Sequence, residues 1–178
     1  MDPRIEDYRH NAARFTDVVD ATTAWDGASP CAGWSAADVL GHVVDTQRHF
    51  LLERGAPLPA LPPGTPSERW HAHLAGVAEV LDDEDLAFTE YDGYFGPTTV
   101  ADTLSSFYGF DLLVHRWDLA RGAGSDVVFT DAELDRIEQS MRGFGDALYS
   151  DGVCGPPVEV PADAPRQERV LGLLGRQA

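Results

Sequence analysis

Lysine is absent from this chain, so every positive side chain charge comes from arginine. The 13 basic residues are outnumbered by 30 acidic residues, and the formal net charge is −17. Binding to nucleic acids and attraction to anionic membrane surfaces both depend on an excess of basic residues. The balance therefore predicts that neither nucleic acid nor a membrane is a partner.

Cysteine is scarce as well. The two cysteines, Cys31 and Cys154, lack the paired spacing of a zinc ribbon or a redox motif, and we expect both to be reduced thiols. Cys31 precedes a predicted helix start, which is a position that can favour a reactive thiol. Alternatively it is a small buried residue that fixes the entry into the helix.

Long apolar runs are also missing. No stretch approaches the roughly 20 apolar residues that span a bilayer, and the acidic first residues lack the basic and apolar regions of a signal peptide. We therefore expect a cytoplasmic protein. A chain of 178 residues with 43% hydrophobic residues predicts one globular domain over residues 1–178.

The spacing of apolar residues predicts an all-α fold with one short two-stranded excursion. Ser35 and Asp38 form the signature of a capping box, and Ser67 is expected to cap the next helix. The acidic run 82–85 is predicted to be a solvated turn, and Asp92-Gly93 is a hairpin turn signal. The predicted helices cover 3–24, 35–54, 67–81, 99–121, 131–149 and 167–174.

The most informative segment runs from Asp111 to His115. It lies in a helical stretch that is apolar around its whole circumference, which predicts a buried helix. Residues four apart are about 6 Å apart on one face, so the carboxylate and the imidazole share a stripe. Burial of charges requires a partner: the two groups bond to each other, pair with a basic group, or bind a metal ion. The spacing alone leaves these alternatives open.

A metal site would need a third ligand, and His42 is the best candidate. It lies on the polar side of the helix that begins after Ser35, together with Asp45 and His49. This face is either solvated or the polar wall of a cleft. His49 lies two turns beyond His42 and is the reserve ligand, whereas Asp45 is a candidate for binding a thiol or supporting the ligands.

Three ordered motifs carry a resemblance. Residues 30–35, 41–44 and 111–120 are similar to the DinB-like metal-binding superfamily, in its branch of mycothiol-dependent maleylpyruvate isomerase N-terminal domains, and the tail 155–176 resembles a stand-alone subfamily of that branch. The resemblance implies a DinB-like four-helix bundle, here with additional short helices. It also implies a divalent metal, usually zinc, held by a histidine of the second helix and an acid-x-x-x-His pair of a later helix.

When the motifs of the family are matched to this sequence, the resemblance implies that the metal ligands are His42, Asp111 and His115. The isomerase has glutamate at the position of Asp111, so the shorter aspartate would hold the metal closer to its helix. Asp118 is expected to orient His115 or bind polar groups of the thiol, and its alternative is an ion pair with Arg121.

Relatives of this branch imply mycothiol as a cosubstrate. The predicted function is a metal- and thiol-dependent transferase or isomerase that acts on a small electrophile. Two alternatives stay open: a metal- or ligand-binding module without catalysis, and a dimerising bundle with a relic site. The expected partners are therefore a small-molecule thiol and an electrophile, with a homodimer as an alternative assembly.

Overall fold

The computed structural model describes residues 2–150 and 153–177 of the chain. Within these residues it is mainly helical with one antiparallel pair of strands, which confirms the predicted all-α fold with a short hairpin. The helices are α1 (Pro3–Ala21), α2 (Ala36–Glu53), α3 (Pro66–Asp82), α4 (Glu84–Ala87), α5 (Val100–Thr103, then a π-helical turn Leu104–Tyr108, then Gly109–Gly122), α6 (Asp131–Phe144) and α7 (Arg166–Leu173). A 3-10 turn, Gly145–Tyr149, follows α6.

Helices α1, α2, α3 and α5 pack together as a four-helix bundle around the main hydrophobic core. Helix α5 is central because its other face packs on a second hydrophobic cluster formed with α6 and α7. Leu112 lies in the first cluster and Trp117 in the second, and both are buried. The prediction of a helix buried on all sides is therefore confirmed for Gly109–Gly122.

The caps explain where the helices begin. The Ser35 hydroxyl accepts the Asp38 amide proton and the Asp38 carboxylate accepts the Ser35 amide proton, as the predicted capping box requires. The prediction that Ser67 caps α3 is wrong. Thr65 forms the capping box with Glu68 instead, and Pro66 occupies the first turn, where a proline costs no hydrogen bond.

Two further element predictions need correction. The acidic run is not only a turn, because the Asp83 carboxylate accepts the amide protons of Asp85 and Leu86 and so caps α4. The predicted helix 131–149 ends as an α-helix at Phe144, where Gly145 has a φ of 53° and a 3-10 turn begins.

The hairpin joins β1 (Glu90–Gly93) to β2 (Gly96–Thr99), with Gly93 opposite Gly96. Tyr94 and Phe95 therefore form its turn, and the predicted turn at Asp92-Gly93 is two residues too early. Gly96 has a φ of 110°, so it supplies the backbone conformation that only glycine adopts easily at the end of this turn. Over residues 2–150 and 153–177, none of the helices has both the length and the apolar character of a membrane span.

Candidate metal centre

Helices α2 and α5 pack against each other and bring together the three residues predicted as metal ligands. Nε2 of His115 lies 3.3 Å from Oδ1 of Asp111, and Nε2 of His42 lies 4.0 Å from the same oxygen. One donor atom from each residue falls within 4.8 Å of the other two. The two imidazole rings meet edge to face, with centroids 5.1 Å apart. That this cluster binds a metal stays a prediction.

The Asp111 carboxylate is the negatively charged group of the cluster. Burial alone would raise the pKa of Asp111, but His115 and His42 more than offset this effect, so its pKa is lowered. Its Oδ2 is buried and has no hydrogen-bond donor among the described residues. A buried carboxylate oxygen without a donor is costly, and a cation would compensate it.

The two histidines differ in charge. Burial lowers the pKa of His42, so its ring stays neutral and offers a lone pair. Burial acts in the same direction on His115, but the carboxylates of Asp111 and Asp118 raise the pKa of His115 well above its usual value. A cation at Nε2 of His115 therefore competes with a proton. Two imidazole nitrogens and one carboxylate oxygen are a donor set that fits zinc.

Asp118 holds the other side of the His115 ring. Its Oδ2 lies 2.9 Å from Nδ1 of His115, and the same carboxylate accepts two hydrogen bonds from Arg176, at 2.7 Å and 3.2 Å. Burial would raise the pKa of Asp118, but His115 and Arg176 lower it far below its usual range. The contact orients the ring so that Nε2 faces Asp111. The alternative pair with Arg121 is not formed, since Arg121 lies beside Asp126 instead.

Cys31 borders the same buried ion pair. Its Sγ lies 3.4 Å from Oδ2 of Asp118 and 3.7 Å from Nη2 of Arg176. Cys31, Asp118 and Nδ1 of His115 form a second group with the spacing of metal ligands. The guanidinium of Arg176 already neutralises this carboxylate and would repel a divalent cation there. The cluster around Asp111 is therefore the better candidate.

The structure does not bring His49 or Asp45 into the cluster. The His49 side chain is 77% exposed and lies 3.4 Å from Glu53, one turn further along α2. Seven residues separate it from His42, which is about 10 Å along a helix axis. Asp45 is exposed and lines a small cavity with Arg69 of α3.

Two residues of the site were missed by sequence reasoning. The ring of Trp34 lies 4.9 Å from the ring of His42 and 6.4 Å from that of His115. Arg176 is 58 residues from Asp118 in the sequence, so no local pattern points to their contact. The motif at 30–35 was the available signal for Trp34, because it precedes the helix that carries His42.

Comparison with known proteins places these residues in a family. No curated protein and no solved structure matches the chain significantly. The family model described as the mycothiol maleylpyruvate isomerase N-terminal domain matches residues 6–120, which is more than half of the 178 residues and includes all three predicted ligands. The chain belongs to the mycothiol maleylpyruvate isomerase N-terminal domain family, a DinB-like branch.

Proposed function

We propose that this protein binds one divalent metal ion, preferably zinc, through His42, Asp111 and His115, and acts as a mycothiol-dependent transferase or isomerase on a small electrophile. The observation that carries the proposal is the Asp111 carboxylate, which lies between two imidazole Nε2 atoms and has one buried oxygen without a donor among the described residues. The family description supports mycothiol as the thiol.

A divalent ion held by three protein ligands would keep an open position, at which a thiol binds as its thiolate near neutral pH. Four residues of the chain would shape the surroundings of that open position. His42 supplies a neutral ring, Asp111 supplies negative charge, and Asp118 fixes the ring of His115. Trp34 packs beside both rings and limits their exposure to water on that side.

The first test is metal content. Wild-type protein should contain about one divalent ion per chain by elemental analysis, and His42→Ala and His115→Ala should each lose most of it. Helicity should stay near the wild-type value, because the two hydrophobic clusters do not depend on the ion. His49→Ala is the matched control, since this histidine is exposed on the same helix as His42. Full metal content in both ligand variants would contradict the proposed site.

The second test separates an enzyme from a passive metal-binding module. Calorimetry in two buffers of different ionisation heat should show release of a proton when mycothiol binds, because coordination captures the thiolate. Asp111→Ala should abolish both the proton release and thiol transfer to an electrophile, whereas Asp111→Glu should keep the metal. Mycothiol binding without proton release, or equal binding to metal-free protein, would favour the passive module.

A further inference from the structure

A cavity of about 570 Å³ lies beyond the C-terminal end of α2 and under the hairpin. This volume falls in the range of about 300 to 1,000 Å³ that is typical of small-molecule sites. Its walls come from α2, the hairpin, the π-helical turn of α5 and the end of α6, and they are mainly apolar, with many aromatic rings. The aromatic lining includes Phe50, Tyr91, Phe95, Phe107, Tyr108 and Phe144.

Arg54 supplies the positive charge of this cavity. Its guanidinium carbon lies 4.2 Å from the ring centroid of Tyr91 and 5.1 Å from that of Phe50. Its Nε is buried and has no hydrogen-bond acceptor among the described residues. The nearest carboxylate is that of Glu53, at 3.7 Å from Nη1, and it is half exposed, so the ion pair is weak.

The π-helical turn of α5 shapes the opposite wall. Ser106, Phe107 and Tyr108 of this turn line the cavity, and π-helical turns occur often at functional sites. The turn is stabilised from outside, because Arg136 donates a hydrogen bond of 2.8 Å to the carbonyl of Ser105. Tyr91 of the hairpin shares a hydrogen bond with the hydroxyl of Thr103, which holds the hairpin on α5.

We propose that this cavity binds an organic anion with a flat apolar body, whose carboxylate is bound by Arg54 and whose body packs among the aromatic rings. The Arg54 side chain lines the cavity and is 28% exposed, so a carboxylate can pair with the accessible part of its guanidinium, and a charge-assisted pair is stronger where solvent is partly excluded. The only other charged lining residue among the described residues is Asp92, which is exposed on the hairpin.

This site is separate from the candidate metal centre. Arg54 follows His42 by twelve residues along α2, which corresponds to about 18 Å. None of His42, Asp111 and His115 lines the cavity. Binding of the anion therefore requires no metal, and the inference stands or fails independently of the proposed function.

The test uses three ligands of matched shape: 2-naphthoate, 2-naphthalenemethanol and 2-naphthylmethylammonium. Calorimetry on the purified full chain, with and without a chelator, should show the tightest binding for 2-naphthoate. Arg54→Gln should weaken 2-naphthoate about tenfold or more and leave 2-naphthalenemethanol unchanged, because only the anion pairs with the guanidinium. Phe95→Ser should weaken both ligands, since it shortens the aromatic wall.

Arg48→Gln is the matched control, because Arg48 lies on the same helix and donates to the carbonyl of Pro59 outside the cavity. It should bind 2-naphthoate as the wild type does. The wild-type ligand series is informative even if Arg54→Gln fails to fold. Equal affinity for all three ligands, preference for the cation, or absence of 2-naphthoate binding would each overturn the proposal. So would an Arg54→Gln variant that folds and binds 2-naphthoate normally.

Discussion

The ring of His115 and the guanidinium of Arg176 together keep Asp118 charged in the interior. Asp118 is completely buried, and its carboxylate accepts hydrogen bonds from Arg176 while it contacts the ring of His115. Arg176 also donates to the carbonyl of Leu174, at 2.7 Å, which ties the segment after α7 to the same point. The segment after α7 thus reaches the ring of His115 through one carboxylate.

Replacement of Arg176 by methionine should therefore destabilise the fold and loosen the ring of His115. Removal of one partner of a buried ion pair costs about 3 kcal/mol or more, and the ring of His115 would be left to compensate the charge of Asp118 without Arg176. We expect this loss in denaturant unfolding of metal-free protein, together with a weaker affinity for zinc. Arg169→Gln is the control, because Arg169 is exposed, and it should change the stability by less than about 0.5 kcal/mol. A fully stable Arg176→Met protein would contradict this role.

His73 shows a different use of a buried histidine. His71 and His73 lie two residues apart on α3 and therefore on different faces of the helix. His71 is at the surface, whereas His73 is completely buried, with Nε2 at 3.2 Å from Oε1 of Gln47. Burial lowers the pKa of His73 to about 3 from its usual value of 6.5. Its ring is therefore neutral in the folded protein.

The shift predicts a loss of stability in acid. Below pH 6.5 the unfolded chain binds a proton at His73, whereas the folded protein does not until about pH 3. The free energy of unfolding should thus fall as the pH decreases through this window. Between pH 7 and pH 4, wild-type protein should lose roughly 3 kcal/mol more than His73→Gln, as measured by urea unfolding. His71→Gln should retain the wild-type pH dependence, and the same dependence in His73→Gln would refute the assignment.

The three candidate ligands could be identified from the sequence because their signals are local, and their role as metal ligands stays a prediction. Asp111 and His115 are four residues apart on a buried helix, and the family motifs added His42. The contact between Asp118 and Arg176 could not be predicted, since it depends on how the last segment folds back over the bundle. The sequence offers His49 as a reserve ligand because it shares a face with His42. Two helical turns separate the two residues, so His49 lies too far from Asp111 and His115.

At the scale of elements, the spacing between α2 and α5 depends on a close backbone contact. Gly27, in the loop before α2, lies against the carbonyl of Gly122 at the end of α5. A Cβ on Gly122 would lie 3.2 Å from Ala36, at the start of α2. The absence of side chains at these two glycines therefore lets the two helices that carry the candidate ligands approach closely.

Gly27→Ala should consequently destabilise the protein by about 2 kcal/mol or more, because the new methyl group would overlap the Gly122 carbonyl oxygen. Gly143→Ala is the matched control. Gly143 lies in α6 with no atom within 4 Å of an added Cβ, so alanine should be neutral or stabilising by its helix propensity. Thermal unfolding followed by circular dichroism measures the stability of both variants. A Gly27→Ala protein with the midpoint of the wild type would show that the loop accommodates the methyl group without loss of stability.

Elements whose start or end depends on neighbouring residues in the sequence could be predicted. Elements that depend on contacts with distant parts of the chain could not. The capping box at Ser35 is encoded within four residues, and α2 begins where the sequence predicts. The π-helical turn has no local signature, since its Ser105 carbonyl is satisfied by Arg136 from α6. The hairpin was predicted, but its turn was misplaced because Asp92 and Gly93 belong to a strand and pair with β2.

At the scale of the whole molecule, the surface is acidic partly because several arginines are buried or paired with acidic residues of the protein. Arg116 and Arg176 are buried, and Arg136 pairs with Asp7. Arg166 pairs with carboxylates of α6. These side chains neutralise acids of the protein itself, so they contribute little to an attractive field for an external polyanion.

The net charge of −17 predicts that a DNA duplex does not bind at moderate salt. Neutralisation of phosphates by basic residues provides most of the non-specific affinity of a protein for DNA, and this protein lacks the excess of basic residues that such binding requires. Fluorescence anisotropy with a labelled duplex should show no binding at about 0.1 M salt. Binding whose affinity decreases steeply with salt concentration would show that a basic surface had been overlooked.

Trp34 gives the protein an internal optical probe. Its indole ring lies close to the imidazoles of His42 and His115, so a positive charge added between those rings changes the electric field at the indole. The other three tryptophans contribute background emission: Trp70 and Trp117 are enclosed in the hydrophobic clusters, and Trp25 is half-buried against the first cluster. If the proposed centre takes up an ion, the uptake should be visible in the tryptophan fluorescence, without any added label.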